Sequence, residues 1–234
     1  MMHILKYIKY RVIIISLFSG LSLFLSHGLY AVPLNGNDFN QAKLLATDNS
    51  HRSTHPTSRI IKISKHRSNM LANNDKWVDI YRYHYPTDTT EVLIYNLKSN
   101  ELIQSKRHQN LQLSATRDEI KYATRLLEND PVFMKQLSTE YYQRYHSQLP
   151  STAIPLSSLR VKAVILTSDN VHNLPQFKNT KNCGLNRCIY FFLSSLEAPY
   201  ANVTLDTKAI VNLSLKAVTA FNQSQREHNH TVHH

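Results

Sequence analysis

Two cysteines, a histidine-rich tail, a scatter of carboxylates and one aromatic run are the places where this chain could do chemistry. Cys183 and Cys188 are its only cysteines, in Asn182-Cys183-Gly184-Leu185-Asn186-Arg187-Cys188. A redox pair of the thioredoxin type needs two intervening residues, and here there are four. The spacing fits a small structural disulfide loop, with Gly184 and Asn186 available for unusual dihedrals. His228, His230, His233 and His234 crowd the C-terminal end, and His228-Asn229-His230 has the alternate spacing of copper and zinc ligand pairs. A tail of this kind lacks the second layer of hydrogen bonds that orients metal ligands. Asp79, Glu91, Glu140, Glu197 and Asp206 are candidates for paired-carboxylate hydrolysis, and nothing in their spacing selects a pair. Asp118 and Glu119 are explained by a helix N-terminus.

The aromatic run is Trp77-Val78-Asp79-Ile80-Tyr81-Arg82-Tyr83-His84-Tyr85. With a period of two, Trp77, Asp79, Tyr81, Tyr83 and Tyr85 share one face, and Val78, Ile80, Arg82 and His84 the other. Trp77, Tyr81, Tyr83 and Tyr85, interleaved with Arg82, form a candidate binding surface of stacking rings and positive charge. The competing expectation is that these rings pack beneath the helix predicted from Thr116 to Asn129.

The elements that position these residues are legible from periodicity and turn chemistry. Strands are expected at Trp77–Tyr85, Thr90–Asn96 and Glu101–Lys106, with short turns that make an antiparallel meander. Thr116 and Glu119 fit a capping box, and Ile120, Ala123, Leu126 and Leu127 recur at helical spacing. Pro131 ends that helix and opens a second, expected to run to about His146. Strands return at Leu159–Leu166, Cys188–Leu193, Tyr200–Leu205 and Ala209–Leu215, with Asp206-Thr207-Lys208 as the last turn. Val92–Ile103 and Val203–Val211 echo one another as strand, tight turn and strand. Both a duplication of two related units and chance recurrence of short hairpins explain that echo.

Residues 1–31 place Lys6, Lys9 and Arg11 before an apolar run, Val12–Leu25, and a short small-and-polar segment. That order is a secretory signal peptide. The run is too short to span ~30 Å of hydrocarbon comfortably, and an uncleaved anchor is the alternative, since Leu29 to Val32 extend its apolar character slightly. The expected location is periplasmic or secreted, in a bacterial host, where thiols oxidise. Residues 32–75 read as a polar, disordered arm, with Ile60-Ile61-Lys62-Ile63 able to add an edge strand. Residues 76–148 form a meander plus helix pair, 149–220 a second β-rich unit with the Cys183–Cys188 loop, and 221–234 a frayed His-rich tail. The fold class is α+β: antiparallel sheet packed on a helix pair, in one domain or two small ones.

Lys and Arg exceed Asp and Glu by 11 over the whole chain, and by about eight once the leader's three cations are removed. That balance suits an acidic macromolecular partner (protein, polysaccharide or envelope surface) ahead of nucleic acid. Only Gly36 and Gly184 follow the leader, which excludes Gly-rich phosphate loops. No cofactor is expected.

The run Leu113-Ser114-Ala115-Thr116-Arg117-Asp118-Glu119, with Ala123, Leu126-Leu127 and Asp130-Pro131, follows a strand-turn-strand. Over residues 77–131 it resembles the small non-catalytic N-terminal domains of copper amine oxidases, a cystatin-like curled sheet beside a helix. The family's cofactor forms from Tyr in an Asn-Tyr-Asp or Asn-Tyr-Glu setting. No Asn-Tyr pair occurs in this sequence, and the large catalytic β-sandwich is missing. The resemblance implies a fold module and no oxidase activity. The function expected is a non-enzymatic exported binding protein. The alternatives are a small exported hydrolase using unassigned acidic residues and a periplasmic metal carrier using the His-rich tail.

Overall fold

Alternating apolar side chains build the first sheet. The computed structural model describes residues 33–48, 58–67, 76–146, 155–171, 180–196 and 202–222. Strands β1 (Ser58–Lys65), β2 (Trp77–His84), β3 (Thr89–Asn96) and β4 (Glu101–Gln109) form an antiparallel sheet in the order β1-β2-β3-β4. Ile80 sits opposite Leu93 and Val78 opposite Tyr95, so this part of one face is apolar and buried. An irregularity in β1 falls between Ile60 and Lys62. Another lets Ile103 bulge from β4, where Ile94 pairs with Gln104 and Tyr95 with Leu102. The expected edge strand at Ile60–Ile63 is present as part of β1.

That apolar face is covered by helix α1 (Gly36–Asp48), where the sequence reading expected only a disordered arm. Two local devices start this helix. The Asn35 side-chain carbonyl accepts from the Asp38 backbone N–H at 3.0 Å, and the Asp38 carboxylate accepts from the Asn35 N–H at 2.8 Å. Lys76 then anchors Asp38 at 3.0 Å. The helix was hard to see because its buried stripe is small. Only Ala42 and Ala46 are fully buried, while Leu44 is 65% exposed. Two alanines one turn apart give a weak periodic signal, yet they let helix and sheet approach closely.

Helices α2 (Arg117–Glu128) and α3 (Pro131–Tyr145) follow as the caps predict. The Thr116 hydroxyl accepts from the Glu119 N–H, and the Glu119 carboxylate accepts from the Thr116 N–H at 2.8 Å. Asp130 caps α3 from its side chain, and Pro131 occupies the first turn. The pair does not cover the first sheet. Ala123, Leu127, Phe133, Leu137 and Tyr141 pack with Ile189, Phe191, Leu193, Ala209 and Val211 of the second. A short 3-10 turn (Pro155–Ser158) leads into that sheet, β5 (Leu159–Ile165), β6 (Cys188–Ser195), β7 (Thr207–Asn212) and β8 (Ala217–Asn222), again in sequence order and antiparallel.

The last hairpin differs from expectation. Around residues 202–206, only Thr204 bridges to Ser194, and Lys208 lies inside β7 instead of in a turn. The reversal occurs at Leu213–Lys216. There the Asn212 side chain accepts from Ser214 N–H at 3.1 Å and Leu215 N–H at 3.0 Å. The β3–β4 turn has the same construction. Asn96 accepts from Lys98 N–H at 2.9 Å and Ser99 N–H at 3.4 Å, and the closing residues Asn100 and Lys216 have φ of 59° and 53°. One helix precedes the first four-stranded meander and two precede the second, and each meander ends on the same Asx-built hairpin.

Lys216 is exposed and held in the left-handed region, where a Cβ costs roughly 1 kcal/mol or more. Lys216→Gly should raise stability by about 1 kcal/mol in urea denaturation. Asn212→Ala should lower it by about 1 kcal/mol, because two amide donors of the turn lose their acceptor.

Candidate interaction surface

The charges that looked reactive in the sequence are mostly paired. Arg187 is fully buried beside Glu119, which is 1% exposed. Nε donates to Glu119 Oε1 at 2.5 Å and Nη2 to Oε2 at 2.9 Å. Nη1 donates to Gln112 Oε1 at 3.2 Å and the Leu113 carbonyl at 3.1 Å, and Nη2 to the Ser114 carbonyl at 3.3 Å. All five guanidinium donors are thus used. Tyr85 donates to Glu119 at 2.8 Å, and the guanidinium lies 5.2 Å from the Tyr83 ring centre. Burial works to raise the Glu119 carboxyl, but Arg187 and the Thr116 N–H hold it below the ordinary range. Burial, then the neighbouring Glu119 charge, pushes the Tyr85 phenol well above its usual value.

The disulfide places Arg187. Cys183 and Cys188 are bonded, with Cα atoms 5.5 Å apart, and Gly184 turns the loop with φ of 97°. A Cβ at Gly184 would meet the Ser168 backbone nitrogen at 2.9 Å. Asn186 in the same loop donates to Asp88 at 2.6 Å. Asp88 also accepts from Tyr83 at 2.7 Å and from the Ser214 hydroxyl. Sequence reasoning found the disulfide and the capping box. It missed that Arg187 joins them, because the partners lie 68 residues apart.

The hydrolase candidates are likewise engaged. Glu91 accepts from Arg82 Nη2 at 2.6 Å, from Ser105 at 3.1 Å, and contacts His84 at 3.2 Å. The His84 hydrogen bond, opposed by burial and aided by Arg82, lowers the Glu91 carboxyl to about 2. Arg82 Nη1 also donates to the Ala46 carbonyl at 3.2 Å, close to the end of α1. Glu140 accepts from the Asp206 and Thr207 N–H groups, each at 2.6 Å. Asp206 pairs with Arg144 at 2.8 Å and Asp79 with His66 at 2.6 Å. Glu197 lies outside the described residues, as do His228, His230, His233 and His234. Among the described residues no group of three or more His, Cys, Asp or Glu side chains could hold a metal ion.

The aromatic run divides. Trp77 and Tyr81 are half-buried on the face away from α1, with His66 stacked 5.8 Å from Trp77 and Lys62 5.8 Å over Tyr81. Tyr83 is buried beside Arg187, and Tyr85 packs with the α2–α3 core, so only that end of the run meets the helix from Arg117. Arg82 points to the opposite face and is not brought to Trp77 and Tyr81.

What remains open is the free side of β4. Every residue from Glu101 to Arg107 is exposed, including Leu102 and Ile103 at 44% each. The core under α1 takes its side chains from β1, β2 and β3 and the turn residue Leu97, and none from β4. The last strand of the second sheet, β8, is half-buried along most of its length. A sheet edge carries unpaired N–H and C=O groups that can pair with an added strand.

No family model and no curated sequence matches this chain. Its fold is similar to that of a copper-containing benzylamine oxidase from Hansenula polymorpha, with a TM-score of 0.53 at 13% sequence identity. The match covers 82% of this chain and 29% of the oxidase. The copper amine oxidase resemblance read in residues 77–131 therefore holds as a likeness of fold, and it extends well past those residues. This chain spans less than a third of that oxidase.

Arg187→Met should destabilise the protein by about 3–5 kcal/mol, since it strands a buried carboxylate. Glu119→Gln combined with it should recover part of that loss, so the double variant costs less than the sum of the singles in urea denaturation at pH 7. Glu91 gives a pH signature. Its folded-state carboxyl lies below the ordinary value of 4.5, so its contribution is present above pH 4.5 and is lost as pH falls toward about 2. Glu91→Gln should lower stability at pH 7 and flatten the stability curve across that window, as read by denaturant midpoints at stepped pH.

Proposed function

We propose that this chain is a non-enzymatic interaction protein of an oxidising compartment, and that the first sheet's free edge is its contact surface. The observation that supports it most directly is the continuous exposure of β4 beside a well-packed core. A long uncovered edge is a pairing liability unless it is used or guarded. The formed disulfide fits export, and among the described residues no helix is long and apolar enough to cross a membrane. The hydrolase alternative loses support because Asp79, Glu91, Glu140 and Asp206 are each committed to an ion pair or to backbone amides. The metal-carrier alternative depends on the tail beyond the described residues.

A photo-crosslinking residue at Gln104 or Arg107 should give discrete adducts when the protein is expressed in an exporting bacterial host. The same residue at Lys135, exposed on α3, should give at least about tenfold less, the contrast expected of a specific interface against random encounter. Equal labelling from all three positions would remove the edge as the contact surface.

A further inference from the structure

We infer that the segment Gln104–Gln109 of β4 receives an acidic, extended segment of a partner protein as a fifth strand of the first sheet. This assignment rests on the proposal that the chain acts by binding, and it names what the edge binds.

The bulge at Ile103 interrupts regular pairing in the first part of β4. Beyond it, Gln104 to Gln109 pair without irregularity against Ile94 to Thr89, so the outer rim of this half is a regular edge. An added strand there would exchange hydrogen bonds with backbone groups that β3 does not use.

Charge decides which strand fits. Lys106 lies opposite Val92 and projects on the face away from α1. Arg107 lies opposite Glu91 on the α1 face, with its side chain 69% exposed. His108 is the next residue on the same face as Lys106. Arg107 makes a long ion pair with Glu91 at 3.7 Å, and Glu91 is engaged more closely by Arg82 at 2.6 Å. An incoming strand therefore meets a cation on each face, one residue apart. Carboxylates alternating along an extended segment would meet Lys106 on one face or, with the segment shifted by one residue, Arg107 on the other.

A second copy of this chain is disfavoured by the same charges. Two copies of Gln104–Gln109 aligned antiparallel would bring two sets of Lys106, Arg107 and His108 together about the dyad. Like charges directly opposed across strands are destabilising. The bulge and the basic residues thus act as a filter, blunting self-pairing while leaving an acidic strand acceptable. Apolar Leu102 and Ile103, at the interrupted end, offer contact for one or two apolar residues flanking the acidic segment.

The test uses the full oxidised chain and a fluorescein-labelled nine-residue peptide alternating Thr and Glu. It should bind about tenfold more tightly at low salt than counterparts with Ser or Lys in place of Glu, and weaken as salt rises. Amide hydrogen exchange should slow at alternate residues of Gln104–Gln109. N-methylation of alternate peptide residues should abolish binding on one register and spare it on the other. Lys106→Gln with Arg107→Gln, both exposed, should erase the preference for Glu over Ser. Equal binding of all three peptides, with the same β4 protection, would overturn the acidic choice while leaving edge binding intact. Peptide binding without β4 protection, or displacement by dextran sulfate in a register-insensitive way, would overturn the added strand in favour of bare charge attraction. Concentration-dependent dimerisation with β4 protection would identify a second copy as the occupant and overturn the partner. Crosslinks from Gln104 with no peptide protecting β4 would sink this inference alone. Absence of position-dependent crosslinks would sink the interaction proposal beneath it.

Discussion

The buried contact between Arg187 and Glu119 is the constraint on which the rest of the architecture depends. Neither group can be solvated where it sits, so the geometry around both must be complete. Completing it takes the capping box of α2, the carbonyls of Leu113 and Ser114, the Tyr85 hydroxyl from the end of the first sheet, and a loop that delivers Arg187 from the second. A buried ion pair adds little net stability over apolar packing, but removing one partner strands the other, so the pair holds in place the arrangement that completes it. Here that arrangement includes the connection between the two sheets. Asp88 repeats the theme from the β2–β3 turn, taking hydrogen bonds from Asn186 and from Ser214 in the last hairpin. The disulfide gives a loop with few apolar anchors a fixed path into this cluster. On the chain-entropy account such a short loop contributes about 2 kcal/mol, so its more consequential effect is positional.

How much could be read from the chain alone follows from the range of each signal. The α2 cap, the Pro131 restart, the first meander and the disulfide are local, with partners within a few residues, and all are legible. The register of the last hairpin was misread because Asp206-Thr207-Lys208 has turn-like composition. In the structure the Glu140 carboxylate takes the Asp206 and Thr207 N–H groups, and Lys208 continues the strand with its stem buried. A partner on a distant helix overrode local turn chemistry. Helix α1 was missed for the opposite reason: its buried stripe of two alanines is too small to register as amphipathic, and its cap is completed by Lys76 from far along the chain. The aromatic run was read correctly as alternating, but alternation says nothing about which end lies under a helix.

Once the hairpins are in register, the internal echo becomes a structural equivalence. Asn96-Leu97 and Asn212-Leu213 occupy the same places in their units, with the Asn side chain closing the turn and the Leu buried beneath it. The echo proposed from residues 203–211 was displaced by several positions, yet the repetition of helix, meander and Asx turn is present. The likeness to the benzylamine oxidase, reaching across 82% of the chain, extends to both units. At 13% identity that likeness speaks to fold alone.

The two units differ in how fully their sheets are covered. Two helices lie over the second sheet, and their core takes Val218 and Ala220 from its last strand. One helix lies over the first, narrow because it is built on alanine, and its apolar partners stop short of β4. A single helix about 10 Å wide spans only two or three strands spaced about 4.8 Å apart, so α1 packs on β1–β3 and leaves β4 uncovered. The uncovered strand is then a consequence of how the first unit is packed, and its sequence answers the resulting hazard. A bulge at Ile103 breaks the flat rim, and Lys106 and Arg107 place charge on both faces of what remains. Those are the means by which sheet proteins keep edges from self-pairing. Because they act through charge, the repulsion between copies and the proposed choice of an acidic strand rest on the same two side chains.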